Sequence, residues 1–235
     1  MANEVLTLKD LLGKPDFLPT QRMESIAERL VLDHVRSRRT IELFPLSTDD
    51  LYTLVEEHVA DLNVYENLDT YGDEVEGITL FQPGTKPLVR VSASLSASKN
   101  ENRLRSTLAH ELGHVLLHDS LFQRKSQDSL FDASLQYMQV CYRDGAESAG
   151  HGDLFEYQAW YMCGALLMPI TELRAQVTTL AQEADSYSEI WQHSVLGRMI
   201  VEMVASSFGV SMALARIRLL KTGLICESEP SPALF

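Results

Sequence analysis

The sequence predicts an α+β protein, mainly helical, in which a small β-hairpin or sheet packs on one long helix and the chain closes with two helices at helix-turn-helix spacing. Three observations carry this. Apolar residues recur at helical spacing behind capping residues along most of the chain. Two short apolar runs, Ile78–Phe81 and Leu88–Leu95, flank the turn signal Gln82-Pro83-Gly84-Thr85. Near the end, Phe208-Gly209-Val210-Ser211 separates two apolar-periodic segments, Ser194–Phe208 and Met212–Gly223.

The elements follow in order. Residues 1–19 contain Gly13, Pro15 and Pro19 and read as an irregular lead-in; Ile26, Leu30, Val31 and His34 then set a helix from Gln21 to about Arg38. These residues make an N-terminal extension over 1–45, and 46–235 reads as one domain whose closing helical segment covers about 185–224. Ser47-Thr48-Asp49-Asp50 fits a capping box opening a helix to about Leu62. The two strands come next. Ser98-Lys99-Asn100-Glu101 has capping-box spacing and starts the long helix, about 99–118. Residues 119–152 are polar and glycine-bearing, which predicts a long mobile loop, a gate or exosite. A helix from Asp153 to Met168 ends at Pro169, which cannot continue it.

Composition narrows the function. The 235 residues are 45% hydrophobic, enough for a sizeable core, and no run approaches the ~20 apolar residues of a membrane span. Met-Ala-Asn-Glu-Val-Leu lacks the basic and apolar regions of a signal peptide, and the three cysteines, Cys141, Cys163 and Cys226, are too scattered for a disulfide framework or a zinc cage. A cytoplasmic protein is expected. The net charge of −13 argues against holding nucleic acid by its phosphates; it suits solubility, or a basic partner such as a DNA-binding protein. Arg216, Arg218 and Lys221 keep a minor DNA-binding reading of the last helix pair open.

The chemistry lies in His110-Glu111-Leu112-Gly113-His114. A helical turn takes about 3.6 residues, so the two imidazoles leave one face and can share a metal ion. Glu111 can reach a water at that ion without binding the ion itself, as in the zincins. Leu104, Leu108, Leu112, Val115 and Leu116 form an apolar stripe; Arg103, Thr107, His110, Glu111, His114 and His118 gather opposite. The bland alternative is a solvated polar face that happens to carry histidines.

A catalytic site of this type needs one more protein ligand and an open position. A third His six residues after the second is excluded, because Ser120 stands there. Glu147, Asp153, Glu156 and Glu172 remain. Glu156 begins a helix, but Asp153-Leu154-Phe155-Glu156 is also a capping-box pattern, and spacing alone does not choose between ligand and cap. His118 is placed to orient a group near the site, and Tyr157, Tyr161, His151 and His193 could stabilise an oxyanion.

The segment Ser106-Thr107-Leu108-Ala109-His110-Glu111-Leu112-Gly113-His114-Val115-Leu116-Leu117-His118 resembles the core motif of the ImmA/IrrE family of metallopeptidases. Glu156-Tyr157-Gln158-Ala159, then Leu166-Leu167-Met168-Pro169, resembles that family's second motif, and Phe208-Gly209-Val210-Ser211 with Ala215, Arg218 and Leu219 is similar to its closing helical segment. The resemblance covers roughly residues 50–224. It implies a zincin-like fold, Zn²⁺ held by His110, His114 and Glu156, Glu111 as proton acceptor, and cleavage of a helix-turn-helix repressor of a mobile element or stress regulon. A His₂Glu set also accepts Mn²⁺, Fe²⁺ or Co²⁺. Trp160 stands where the family usually has Asn, and Met162 and Ser106 where it has Phe; indole only donates, which puts hydrogen bonding around the ligands in question. The competing readings are a non-proteolytic binding module with structural zinc or none, and a transcription regulator using the last helix pair. Intact Glu111 favours hydrolysis, since a structural metal site has no need of that carboxylate.

Overall fold

The computed structural model describes residues 6–7, 18–38, 44–127, 137–142, 153–186 and 188–229. The chain divides into two compact units: Met1–Arg22 with Ser47–Cys163, and Met23–Leu46 with Gly164–Phe235. Among the described residues no single helix is long and apolar enough to cross a membrane.

The first unit is built on a five-stranded mixed sheet. Its strands are β1 (Leu6–Thr7), β2 (Asp61–Glu66), β3 (Val75–Phe81), β4 (Leu88–Ser92) and β5 (Tyr137–Tyr142), in the order β1-β5-β3-β4-β2. The expected hairpin is there: β3 and β4 pair antiparallel, and Gly84 in the turn takes φ 73°, where a side chain would be strained. The rest of the sheet was not expected. β2 pairs parallel with β4 and lies where the preceding helix was extended to Leu62. That helix, α2 (Thr48–His58), is opened by the Ser47–Asp50 capping box and stops at Val59, whose backbone is extended. Arg90 of β4 then holds the edge through Asp61 at 2.8 Å. β1 likewise replaces part of the irregular lead-in, pairing parallel with β5.

A one-turn helix, α3 (Ala93–Ser96), ends the second predicted strand early, and α4 (Glu101–Ser126) crosses the sheet on β3, β4 and β5. Its cap is Asn100, whose side chain accepts from Arg103 N; Ser98 accepts from Asn100 N instead. The helix runs eight residues past the expected end because Phe122 packs between Phe81 and Tyr137 at 5.6 and 5.8 Å. Gln123 then clamps the β3–β4 turn, donating to Gln82 O and Thr85 O and accepting from Gly84 N. The long-loop expectation over 119–152 therefore fails at both described parts, the end of α4 and strand β5; residues 128–136 and 143–152 lie outside the described residues.

Helix α5 (Leu154–Leu167) ends before Pro169, as expected, and Pro169 caps the next helix, α6 (Ile170–Glu183). The second unit also holds most of α1 (Thr20–Arg38) and the closing pair α7 (Val195–Phe208) and α8 (Met212–Lys221). Gly209, in the left-handed region at φ 58°, turns α7 into α8 at 111°. Arg218 of α8 is buried and forked onto Glu24 of α1 at 2.6 and 2.7 Å, while Nη2 donates to Met168 O. The bare backbone of Gly164 leaves room for its stem. Arg218 is therefore a packing residue, which removes one of the three cations offered for DNA.

Candidate metal centre

His110, Glu111, His114 and His118 of α4 are all fully buried. The stripe expected to be polar is covered by protein, and the solvated-face reading is excluded. His110 Nε2 and His114 Nε2 lie 3.0 Å apart, as one helical turn requires. The Glu156 carboxylate completes a triangle, with Oε2 3.4 Å from His110 Nε2 and Oε1 3.2 Å from His114 Nε2. Asp153 does cap α5, accepting from Phe155 N at 2.9 Å, but Glu156 turns toward the histidines rather than back to the cap. Gly113 permits this approach. A Cβ there would stand 2.9 Å from Ala159 O, so only glycine lets α5 cross α4 so closely.

The donor set fits a tetrahedral ion. Zinc binds N and O ligands at about 2.0–2.2 Å, which puts tetrahedral ligands about 3.3–3.5 Å apart. The three separations here are close to that edge length, and Glu156 is partly exposed while both histidines are buried. A second group, His110, Glu111 and Cys141, also lies within 4.8 Å. Burial, then the charge of Glu111, pushes the Cys141 thiol well up, so binding a metal there would first have to remove a tightly held proton. The His₂Glu set is the better one. Among the described residues Asp153 and Glu172 join neither group; Glu147 and His151 lie outside the described residues.

Glu111 sits in a pocket the sequence did not reveal. Thr79 of β3 donates to Oε2 at 2.5 Å, while Oε1 has no hydrogen-bond partner among the described residues. Gly77, two residues earlier on the same face of β3, makes room: a Cβ there would collide with Oε1. Burial lifts the Glu111 carboxyl to about 8, against the lowering effects of His114 and Thr79 and with a further rise from Glu156. For Glu156 burial also works upward, but His114 and His110 outweigh it and hold the carboxyl well below its usual range.

His118 does orient a group near the site, and that group is an imidazole. Its Nδ1 is 3.0 Å from His114 Nδ1, its Nε2 is 3.1 Å from Gln158 Oε1, and Phe155 meets its ring edge-on at 4.9 Å. Burial, then His114, lowers its pKa to about 3, so it is neutral. Trp160 lies against His110, centroids 4.3 Å apart, and His110 Nδ1 has no hydrogen-bond partner among the described residues. Tyr157 and Tyr161 stand beyond Glu156 on α5, their rings 6.3 Å apart. His193 is exposed in the second unit, against Trp191. Of the residues missed, Thr79 and Gly77 did leave a signal: a polar and a bare position alternate on a strand face that must pack on a helix.

Residues 93–220 match the family model Peptidase_M78, described as the IrrE N-terminal-like domain, over more than half of the chain. The chain belongs to this family. No match was found among curated proteins. Membership in Peptidase_M78 makes this a metallopeptidase-type domain and implies a metal cofactor, and His110, His114 and Glu156 are a possible site for it.

Proposed function

We propose that this chain is a zinc-dependent endopeptidase acting in the cytoplasm on a protein substrate, a basic helix-turn-helix repressor of a mobile element or stress regulon. One observation carries the reading: two imidazole nitrogens and a carboxylate converge at 3.0–3.4 Å beside a buried glutamate that does not share their triangle. Zinc bound there would supply a Lewis acid that polarises a carbonyl and makes water acidic near neutral pH. His110, His114 and Glu156 hold it. Glu111 takes a proton from the attacking water through Oε1 and passes it to the leaving amine, while Thr79 fixes the carboxylate through Oε2. Tyr157 or Tyr161 donates to the oxyanion. The net charge of −13 supports a basic substrate, as does the ImmA/IrrE resemblance.

The test is metal content of wild type beside Glu156→Ala after dialysis without chelator, followed by incubation of wild type and Glu111→Gln with basic helix-turn-helix repressors, read by mass spectrometry. About one zinc per chain, lost in Glu156→Ala, with cleavage abolished in metal-loaded Glu111→Gln, is the expected result. Absence of metal from both proteins after zinc is added back would overturn it in favour of a binding module. Zinc retained by Glu156→Ala would reject Glu156 as the third ligand.

A further inference from the structure

The two metal-facing histidines are supported differently. His110 has an indole against its ring and no partner at Nδ1 among the described residues, whereas His114 Nδ1 meets a second buried imidazole. A neutral imidazole carries one N–H and one lone pair, and only the lone pair binds a metal. Something must therefore choose which nitrogen of His114 is bare.

We propose that Gln158 and His118 form a relay that selects the His114 tautomer with Nε2 unprotonated and facing Glu156. The order follows from donor and acceptor rules. Gln158 Oε1 can only accept, so the 3.1 Å contact requires the His118 proton to be on Nε2. His118 Nδ1 is then a lone pair, and the 3.0 Å contact with His114 Nδ1 requires the proton to be on His114. His114 Nε2 is left bare, 3.2 Å from Glu156 Oε1, which has no hydrogen-bond partner among the described residues. His110 Nε2, 3.0 Å from His114 Nε2 and 3.4 Å from Glu156 Oε2, is the donor on that side in the metal-free chain. Phe155, fully buried, holds the His118 ring at its edge, and Gln158 is itself buried, so water does not compete at either end. Orienting groups on metal-binding histidines are mostly carboxylates or carbonyls touching the ligand directly. Here a neutral imidazole transmits the preference of an amide across one more helical turn. It fixes the tautomer without adding negative charge beside a site that already holds Glu111 and Glu156. His118 and Gln158 are positioning residues, and their effect on the metal rests on the reading of His114 as a ligand.

Two measurements test this. Long-range ¹H–¹⁵N correlation spectra of the metal-free protein report each tautomer directly: the relay requires His114 as Nδ1–H and His118 as Nε2–H, and His114 found as Nε2–H overturns it. Zinc affinity by chelator competition is the second readout. His118→Leu should weaken binding roughly 10–100-fold, and His118→Asn, whose Oδ1 replaces the accepting Nδ1, should recover most of the loss. Gln158→Leu should weaken binding and Gln158→Glu, which keeps the acceptor, should not; this pair decides the matter if His118→Leu does not fold. Wild-type affinity in a folded Leu variant, or equal losses in His118→Asn and His118→Leu, overturns the relay. A wild type that binds no zinc sinks the peptidase reading instead, and the metal-free spectra still decide the relay.

Discussion

Glu111→Gln should abolish the loss of stability that the metal-free protein shows as pH rises above 6.5. Burial raises the Glu111 carboxyl from 4.5 to about 8. Between those values the folded chain holds a proton that the unfolded chain has released, so stability falls as pH rises, by up to about 1.4 kcal/mol per pH unit. His118 acts in the opposite sense. Its pKa is lowered from 6.5 to about 3, so between those values the unfolded chain binds the extra proton and stability rises with pH. The two slopes cancel from pH 4.5 to 6.5. What survives is a decline of about 2 kcal/mol between pH 6.5 and 8. In Glu111→Gln the amide can still accept from Thr79 but cannot ionise, so stability should rise to pH 6.5 and then stay level. The assay is urea unfolding of chelator-treated protein at pH 5, 6.5 and 8, followed by Trp160 fluorescence in a Trp191→Phe background, which reports on the unit holding the site. A wild type without the decline, or a Gln variant that declines equally, would refute the assignment of the decline to Glu111.

Four further outcomes follow from the same geometry. Gly77→Ala places a methyl against Glu111 Oε1 and 2.9 Å from Thr107 Cγ2; it should cost about 1–3 kcal/mol and abolish peptidase activity while zinc content is retained. Gly113→Ala forces α5 away from α4 and should lower zinc affinity by about tenfold or more in chelator competition, because Glu156 moves with α5; an unchanged affinity would show that the crossing has slack. Arg218→Met removes the forked pair with Glu24 and should cost about 3 kcal/mol in thermal unfolding, with zinc content per folded chain unchanged. Zinc binding at pH 7 should release a proton from Glu111, seen as a dependence of binding enthalpy on buffer ionisation that is weaker in Glu111→Gln.

The part of this site that can be read along one helix was legible, and the part that depends on register was not. His110, Glu111 and His114 are fixed relative to one another by the helical period, whatever the tertiary structure does. Glu156 was undecided between ligand and cap on spacing. The fold uses the Asp153 half of that capping pattern and sends Glu156 elsewhere, a choice set by how closely Gly113 lets α5 approach. Thr79 reaches Glu111 across 32 residues and Gln158 reaches His118 across 40. A one-residue slip of β3 would present Ile78 and Leu80 instead of Gly77 and Thr79, and the alternation along the strand does not say which of its two faces meets the helix. β5 was hidden for a different reason. Tyr137–Tyr142 is rich in strand formers, but the polar, glycine-bearing sequence on either side of it has the composition of a loop.

Under the proposed function, the burial of Glu111 also bears on why the proton acceptor shares a helix with two of the three residues that would hold the metal. A carboxyl lifted to about 8 is protonated at neutral pH, and a protonated carboxyl cannot accept the proton of an attacking water. Thr79 offsets only part of the burial, because one hydroxyl dipole is weak against complete desolvation. Restoring the acceptor form requires positive charge a few ångströms away, and a metal held by His110 and His114 would supply it. The same dry surroundings that keep Glu111 protonated without a cation amplify a cation's effect once it is bound. Under the proposed function, the residues that hold the ion therefore also control whether the proton acceptor exists, and metal loading and base activation become one event.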